Sequence, residues 1–155
     1  MKKTRLKKQS KKSLPTLKRK IDRAYQDFFR ELCWDNNIGS QVSGKKMDLC
    51  HHAEEKSQCA ALEFDERNFV PLTKQEHDDH TLAGKNYVMG IVNAKRGEKW
   101  VKAMSDIRYK NKGFVRNAIW YAEKMDYLEK LKLRRQELVE NYNKVGYFSL
   151  NENLI

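Results

Sequence analysis

All four histidines of this 155-residue chain, His51, His52, His77 and His80, fall between positions 51 and 80. His77 and His80 are three apart, so on a helix their rings share one face and can converge on a single cation. Neutral imidazole nitrogens suit zinc or a similar divalent ion at about 2.0 to 2.1 Å. A tandem pair at the end of a strand, His51 and His52, can supply further nitrogens. Adjacent strand residues point to opposite faces, so both reach one site only where the strand ends or is distorted. A single histidine is more often a packing or surface residue; the clustering is what points to chemistry.

The spacing H-H, fifteen residues, N, eight residues, H, two residues, H resembles the HNH, or ββα-metal, nuclease superfamily. The resemblance implies an α+β fold with a ββα-metal core. It makes His52 the general base that activates water and Asn68 the residue that holds the strand and base in position. His51, His77 and His80 become the ligands of one divalent metal ion: Mg, Mn, Zn or Ni. The step of three from His77 to His80 departs from the step of four in the colicin DNases, which the run N-F-V-P-L-T-K-Q-E-H otherwise resembles. Over residues 10 to 82, SLPTLKRKIDRAYQDFFRELCWD followed by ALEFDERNFVPL is similar to the NinG/Rap family of phage recombination endonucleases. That family carries two cysteine pairs forming a structural zinc knuckle. Here Ser40 and Ser43 stand at the first pair, Thr73 and Glu76 at the second. Hydroxyls are poor zinc ligands beside thiolates, so no structural zinc is expected.

The residue types suit that chemistry. An imidazole with a pKa near 6.5 can take a proton from water at neutral pH, a cation can offset the charge growing on phosphate and leaving oxygens, and an amide can aim a base without competing for its proton. Asp65 and Glu66 are assigned solvated or capping duty in a turn. Arg67 either clamps a phosphate or makes a structural ion pair. Cys50 reads as a buried strand cysteine, and Trp100 and Trp120 as packing residues.

The elements that must position these groups follow from periodicity. Leu14, Leu17, Ile21, Tyr25, Phe28 and Leu32 recur at three- and four-residue steps and predict a helix over 13–35, with Pro15 in its first turn. Gly39 and Gly44 bracket a turn before MDLCHH, a short strand with a possible hairpin partner nearby. A second short strand lies around Phe69 and Val70, limited by Pro71. The polar segment from Thr73 predicts a helix ending at Gly84. Residues 85–94, KNYVMGIVNA, fit strand or helix equally. Trp100, Met104 and Ile107 mark a further helix, and a long one is expected from about Phe114 to Asn141. The domain plan is a basic disordered tail over 1–12 and one domain over 13–155: a ββα core at about 45–84, flanked by the N-terminal helix and C-terminal helices at about 97–142. With no zinc knuckle, those helices must bury the small core.

Charge then suggests a partner. The formal net charge is +11, concentrated in residues 1–20, with ten bases and no acid, and 95–116, with eight bases against Glu98 and Asp106. Such patches fit a polyanion through counterion release, and Lys18, Arg19, Lys20, Arg67, Lys95, Arg96, Lys99 and Lys102 are the expected DNA contacts, on possibly branched DNA. With 34% charged residues and a mean hydropathy of −0.90, a membrane span is not expected. No apolar run follows the basic start and three cysteines form no C-x-x-C, so a reduced, cytoplasmic setting is expected, the host cytoplasm if the gene is carried by a phage. The reading is a metal-dependent endonuclease of phage or prophage recombination. A catalytically inactive DNA-binding protein of the same fold is the alternative, and a basic RNA-binding protein a third class.

Overall fold

The computed structural model describes residues 2–55, 59–82, 87–111 and 116–155. Within them the chain is mixed and helix-dominated, with one small antiparallel sheet. The first helix, α1, spans Lys2–Asp35, the strand β1 Leu49–His52 and β2 Phe69–Leu72. Then come α2 (Lys74–Leu82), α3 (Tyr87–Arg96), α4 (Glu98–Lys110), α5 (Ala118–Leu133) and α6 (Arg135–Val145).

β1 pairs with β2, Leu49 opposite Leu72 and His52 opposite Phe69. The strand's partner is therefore not the preceding turn, and the hairpin considered there does not form. That turn is instead closed on itself, the Ser40 amide donating to the Lys45 carbonyl at 2.7 Å. Gly39 makes it possible, because a Cβ there would stand 2.3 Å from the Gly44 carbonyl oxygen. Pro71 is tolerated because a two-stranded sheet consists of edges.

The main core gathers one stripe of α1 (Ile21, Tyr25, Phe29 and Leu32, each fully buried) against Phe64 and Phe69 near the sheet and Leu128, Leu131 and Leu138 of α5 and α6. Phe29 stacks on Phe69 at 4.3 Å between centroids, which welds the helix to the strand that faces His52. A second group, Val70, Leu72, Val88 and Val92, joins β2 to α3. The flanking helices thus cover both sides of the short strands.

Two expectations are corrected and one open choice is resolved. α1 begins at Lys2, ahead of the start expected at 13; Lys, Arg and Gln are good helix formers, and Pro15, inside the helix, removes only one backbone donor. Residues 87–96 are helix, since Val88 and Val92, four apart, both face β2. The long C-terminal helix is two helices, broken at Arg134, whose φ of −112° and ψ of 27° leave the helical region. Gly84 and the expected start at Phe114 lie outside the described residues.

Candidate metal and proton-transfer site

The tandem histidines end β1, and the pleat separates them. His51 lies opposite Val70, is 8% exposed, and packs edge to face on His77 at 5.3 Å and on His80 at 4.9 Å. Both of those rings come from α2. Its first turn is fixed by a reciprocal cap: the Thr73 amide donates to Glu76 at 2.8 Å and the Glu76 amide donates to Thr73 Oγ1 at 3.2 Å. Two buried nitrogens of this trio, His51 Nε2 and His80 Nδ1, have no hydrogen-bond partner. Burial is the largest cause pushing the His51 ring down to about 3, followed by the neighbouring His80, His77 and His52, so His51 is neutral at any ordinary pH. Among the described residues no group of three His, Cys, Asp or Glu already has the arrangement of a metal site. The rings pack against one another, with their nitrogens not yet aimed at a common point. The donor set still fits a divalent ion of the zinc type: three imidazoles, one of them held neutral, with two orphaned nitrogens.

His52 points to the other face, its ring 4.9 Å from that of Phe69. His52 Nε2 lies 2.8 Å from the Glu63 carbonyl oxygen. A carbonyl only accepts, so Nε2 carries the proton and the neutral ring keeps its lone pair on Nδ1.

Asn68 is fully buried and closes the long connection between the strands. Its Oδ1 accepts from the Glu54 amide at 2.7 Å, and its Nδ2 donates to the carbonyls of Glu54 at 3.0 Å and Leu62 at 2.9 Å. One amide therefore ties the residues just beyond His52 to the peptide that precedes Glu63.

The four positions where the resemblance sets cysteines do meet in space. Ser40 Oγ donates to Glu76 Oε1 at 2.5 Å and accepts from the amides of Val42 and Ser43. Burial pushes the Glu76 carboxyl up, but hydrogen bonds from Ser40, Thr73 and Ser43 outweigh it and hold the group below the ordinary carboxylate value.

Two expected DNA contacts are engaged within the fold. Arg96 is 5% exposed, and its guanidinium is spent on Gln41 Oε1 and on the carbonyls of Arg67 and Phe69, each at 2.8 Å; burial lowers it to about 10. Arg67 pairs with Asp65 at 2.7 Å and donates to the Asn153 carbonyl. Both cations hold the fold together through these bonds. Lys95 is exposed but its ammonium donates to the Gln41 carbonyl at 2.6 Å. Arg19, Lys20, Lys99 and Lys102 are exposed, and Lys18 is half-buried. Asp65 caps the turn that leads to Asn68, whereas Glu66 is buried, bonded to Tyr127, Asn153 and the Leu150 amide. The three cysteines are buried and free, and Trp100 and Trp120 are core residues.

Glu63 went unnoticed in the sequence, and Arg116 was read only as the end of the basic segment 95–116. Glu63 is fully buried and paired with Arg116 at 2.5 Å. Burial pushes its carboxyl up against the effect of Arg116, and the Asp22 carboxyl of α1 pushes in the same direction. Nothing in the local pattern ALEFDE marks Glu63 as the buried acid of its run. No helix among the described residues is long and apolar enough to cross a membrane. No family model matches the chain, and neither the comparison with curated proteins nor that with solved structures gives a match.

Proposed function

We propose that the chain is a metal-dependent endonuclease of the HNH type that hydrolyses DNA phosphodiester bonds, in the setting of phage or prophage recombination that its resemblance implies. The observation that carries the reading is the buried trio of His51, His77 and His80 with its two orphaned nitrogens, next to the end of β1, where His52 is held through Nε2 by a backbone carbonyl. His51, His77 and His80 would hold one divalent cation, their rings turning from edge-to-face packing to aim their nitrogens. Bound there, it supplies electrostatic stabilisation to the nonbridging phosphate oxygens and the departing 3′ oxygen. His52 Nδ1 takes the proton of the attacking water, and the Glu63 carbonyl stabilises the resulting imidazolium through Nε2–H. Asn68 keeps the connecting loop closed at the peptide ahead of Glu63. Exposed Arg19, Lys20, Lys99 and Lys102 grip the phosphate backbone, making binding salt dependent.

The test is plasmid cleavage by the purified chain in EDTA, Mg²⁺, Mn²⁺, Zn²⁺ or Ni²⁺, beside His52→Ala. Cation-dependent nicking that falls by at least about 100-fold in the variant is expected for loss of a general base. Binding without cleavage under every metal would replace the enzyme with a DNA-binding module, and preference for RNA with indifference to His77→Ala would point to an RNA-binding protein.

A further inference from the structure

Glu63 works in two directions at once. Its backbone carbonyl accepts from His52 Nε2, and its side chain, fully buried, is gripped by Arg116 Nε. Asn68 fixes the carbonyl of Leu62, one peptide earlier, the Glu63 amide donates to the Ala60 carbonyl at 3.2 Å, and the buried Phe64 ring packs on Tyr25 and Trp120. The Glu63 carboxylate adds a tie to another part of the chain: Arg116 meets it from the residues just ahead of α5, and Asp22 of α1 lies against it. Arg116 itself belongs to a basic segment, yet its side chain is 25% exposed and directed onto a buried acid.

We propose that Arg116 and Glu63 form a positioning pair for His52: the ion pair fixes the Glu63 peptide, whose carbonyl sets the tautomer and direction of the imidazole. Residues outside the strand–strand–helix segment would thereby act on its proton-transfer group. The proposal rests on His52 serving as the base, but its structural half is measurable without activity. A buried carboxylate deprived of its cation shifts or takes up a proton, and the peptide it anchors loses its fixed direction.

The experiment uses the full chain, parent beside Arg116→Gln, Arg116→Lys and Glu63→Gln, each checked by thermal melting. Nitrogen-15 spectra of the His52 ring, assigned with His52→Ala, read the tautomer directly. The parent is expected to hold the Nε2–H form, Arg116→Gln and Glu63→Gln to show a mixture of both tautomers, and Arg116→Lys to recover most of the parent signal. On a short DNA duplex with the activating cation, kcat should fall about 10- to 100-fold in Arg116→Gln with KM within about twofold, the scale of lost support behind a functional side chain. An unchanged tautomer in Arg116→Gln overturns the proposal, as does a rise in KM with kcat intact, which would make Arg116 a phosphate contact. If Arg116→Gln does not fold, Arg116→Lys and Glu63→Gln decide by the same spectra: a parent-like tautomer in Glu63→Gln overturns the pair. A parent that cleaves under no cation removes the nuclease reading alone, because the tautomer result stands apart from it.

Discussion

Asn68 is the residue on which most local order converges. Fully buried, it satisfies an amide and two carbonyls of the chain around it, and no smaller side chain can reproduce that set. Asn68→Ala leaves those groups unsatisfied in a dry place and should cost about 2 to 4 kcal/mol, the sum of one or two lost buried partners, read from urea denaturation midpoints. Asn68→Asp keeps the shape but cannot donate to Glu54 and Leu62, and should be no milder. A positioning role for this residue was implied by the HNH resemblance alone; its three bonds to Glu54 and Leu62 are not written in the local sequence. Arg96 shows the opposite. Its position in a basic run suggested phosphate contact, and only three-dimensional burial reveals that its guanidinium caps backbone carbonyls.

At the scale of elements, the junction between the 39–44 turn and α2 is held by Ser40, Thr73 and Glu76 acting together. Glu76→Ala removes a helix cap and a buried partner of Ser40 at one stroke. A loss of about 1 to 3 kcal/mol is expected, measured by thermal unfolding, with Glu76→Gln intermediate because an amide can still accept from Ser40. The pattern T-x-x-E was visible in TKQE, so the cap was legible; the partnership with Ser40, thirty-six positions away, was not. Other elements divide the same way. α1, β1, β2, α2 and α4 follow from periodicity and turn residues. Residues 85–94 carried apolar positions that fit both periods until β2 supplied a surface for Val88 and Val92, and the break at Arg134 depends on contacts the local pattern does not contain.

Taken as a whole molecule, the chain fastens its far end to its middle. Arg134, at the break between α5 and α6, binds Glu137 and Glu152, and Lys130 reaches Glu152 at 3.1 Å. Hydrogen bonds from Arg134 are the first cause holding the Glu152 carboxyl down at about 2, with Lys130 adding to them. A carboxyl lowered in the folded state binds its proton more readily once unfolded. Its contribution is therefore complete above pH 4.5 and lost as pH falls from there towards 2. Melting curves across that window should flatten in Glu152→Gln relative to the parent, and the difference should shrink in high salt because the pair is exposed to solvent.

The alternation of the pleat has one more consequence. His51 and His52 are neighbours in the chain yet occupy different sides of a ladder only four rungs long, so the alignment of two strands decides which imidazole faces the helix and which faces the aromatic layer. Sliding β1 by a single rung would exchange the two, so that under the proposed function the cation would meet the ring assigned to proton transfer and the water the ring assigned to the cation. Under that proposal, accuracy of pairing is a chemical requirement as much as a folding one.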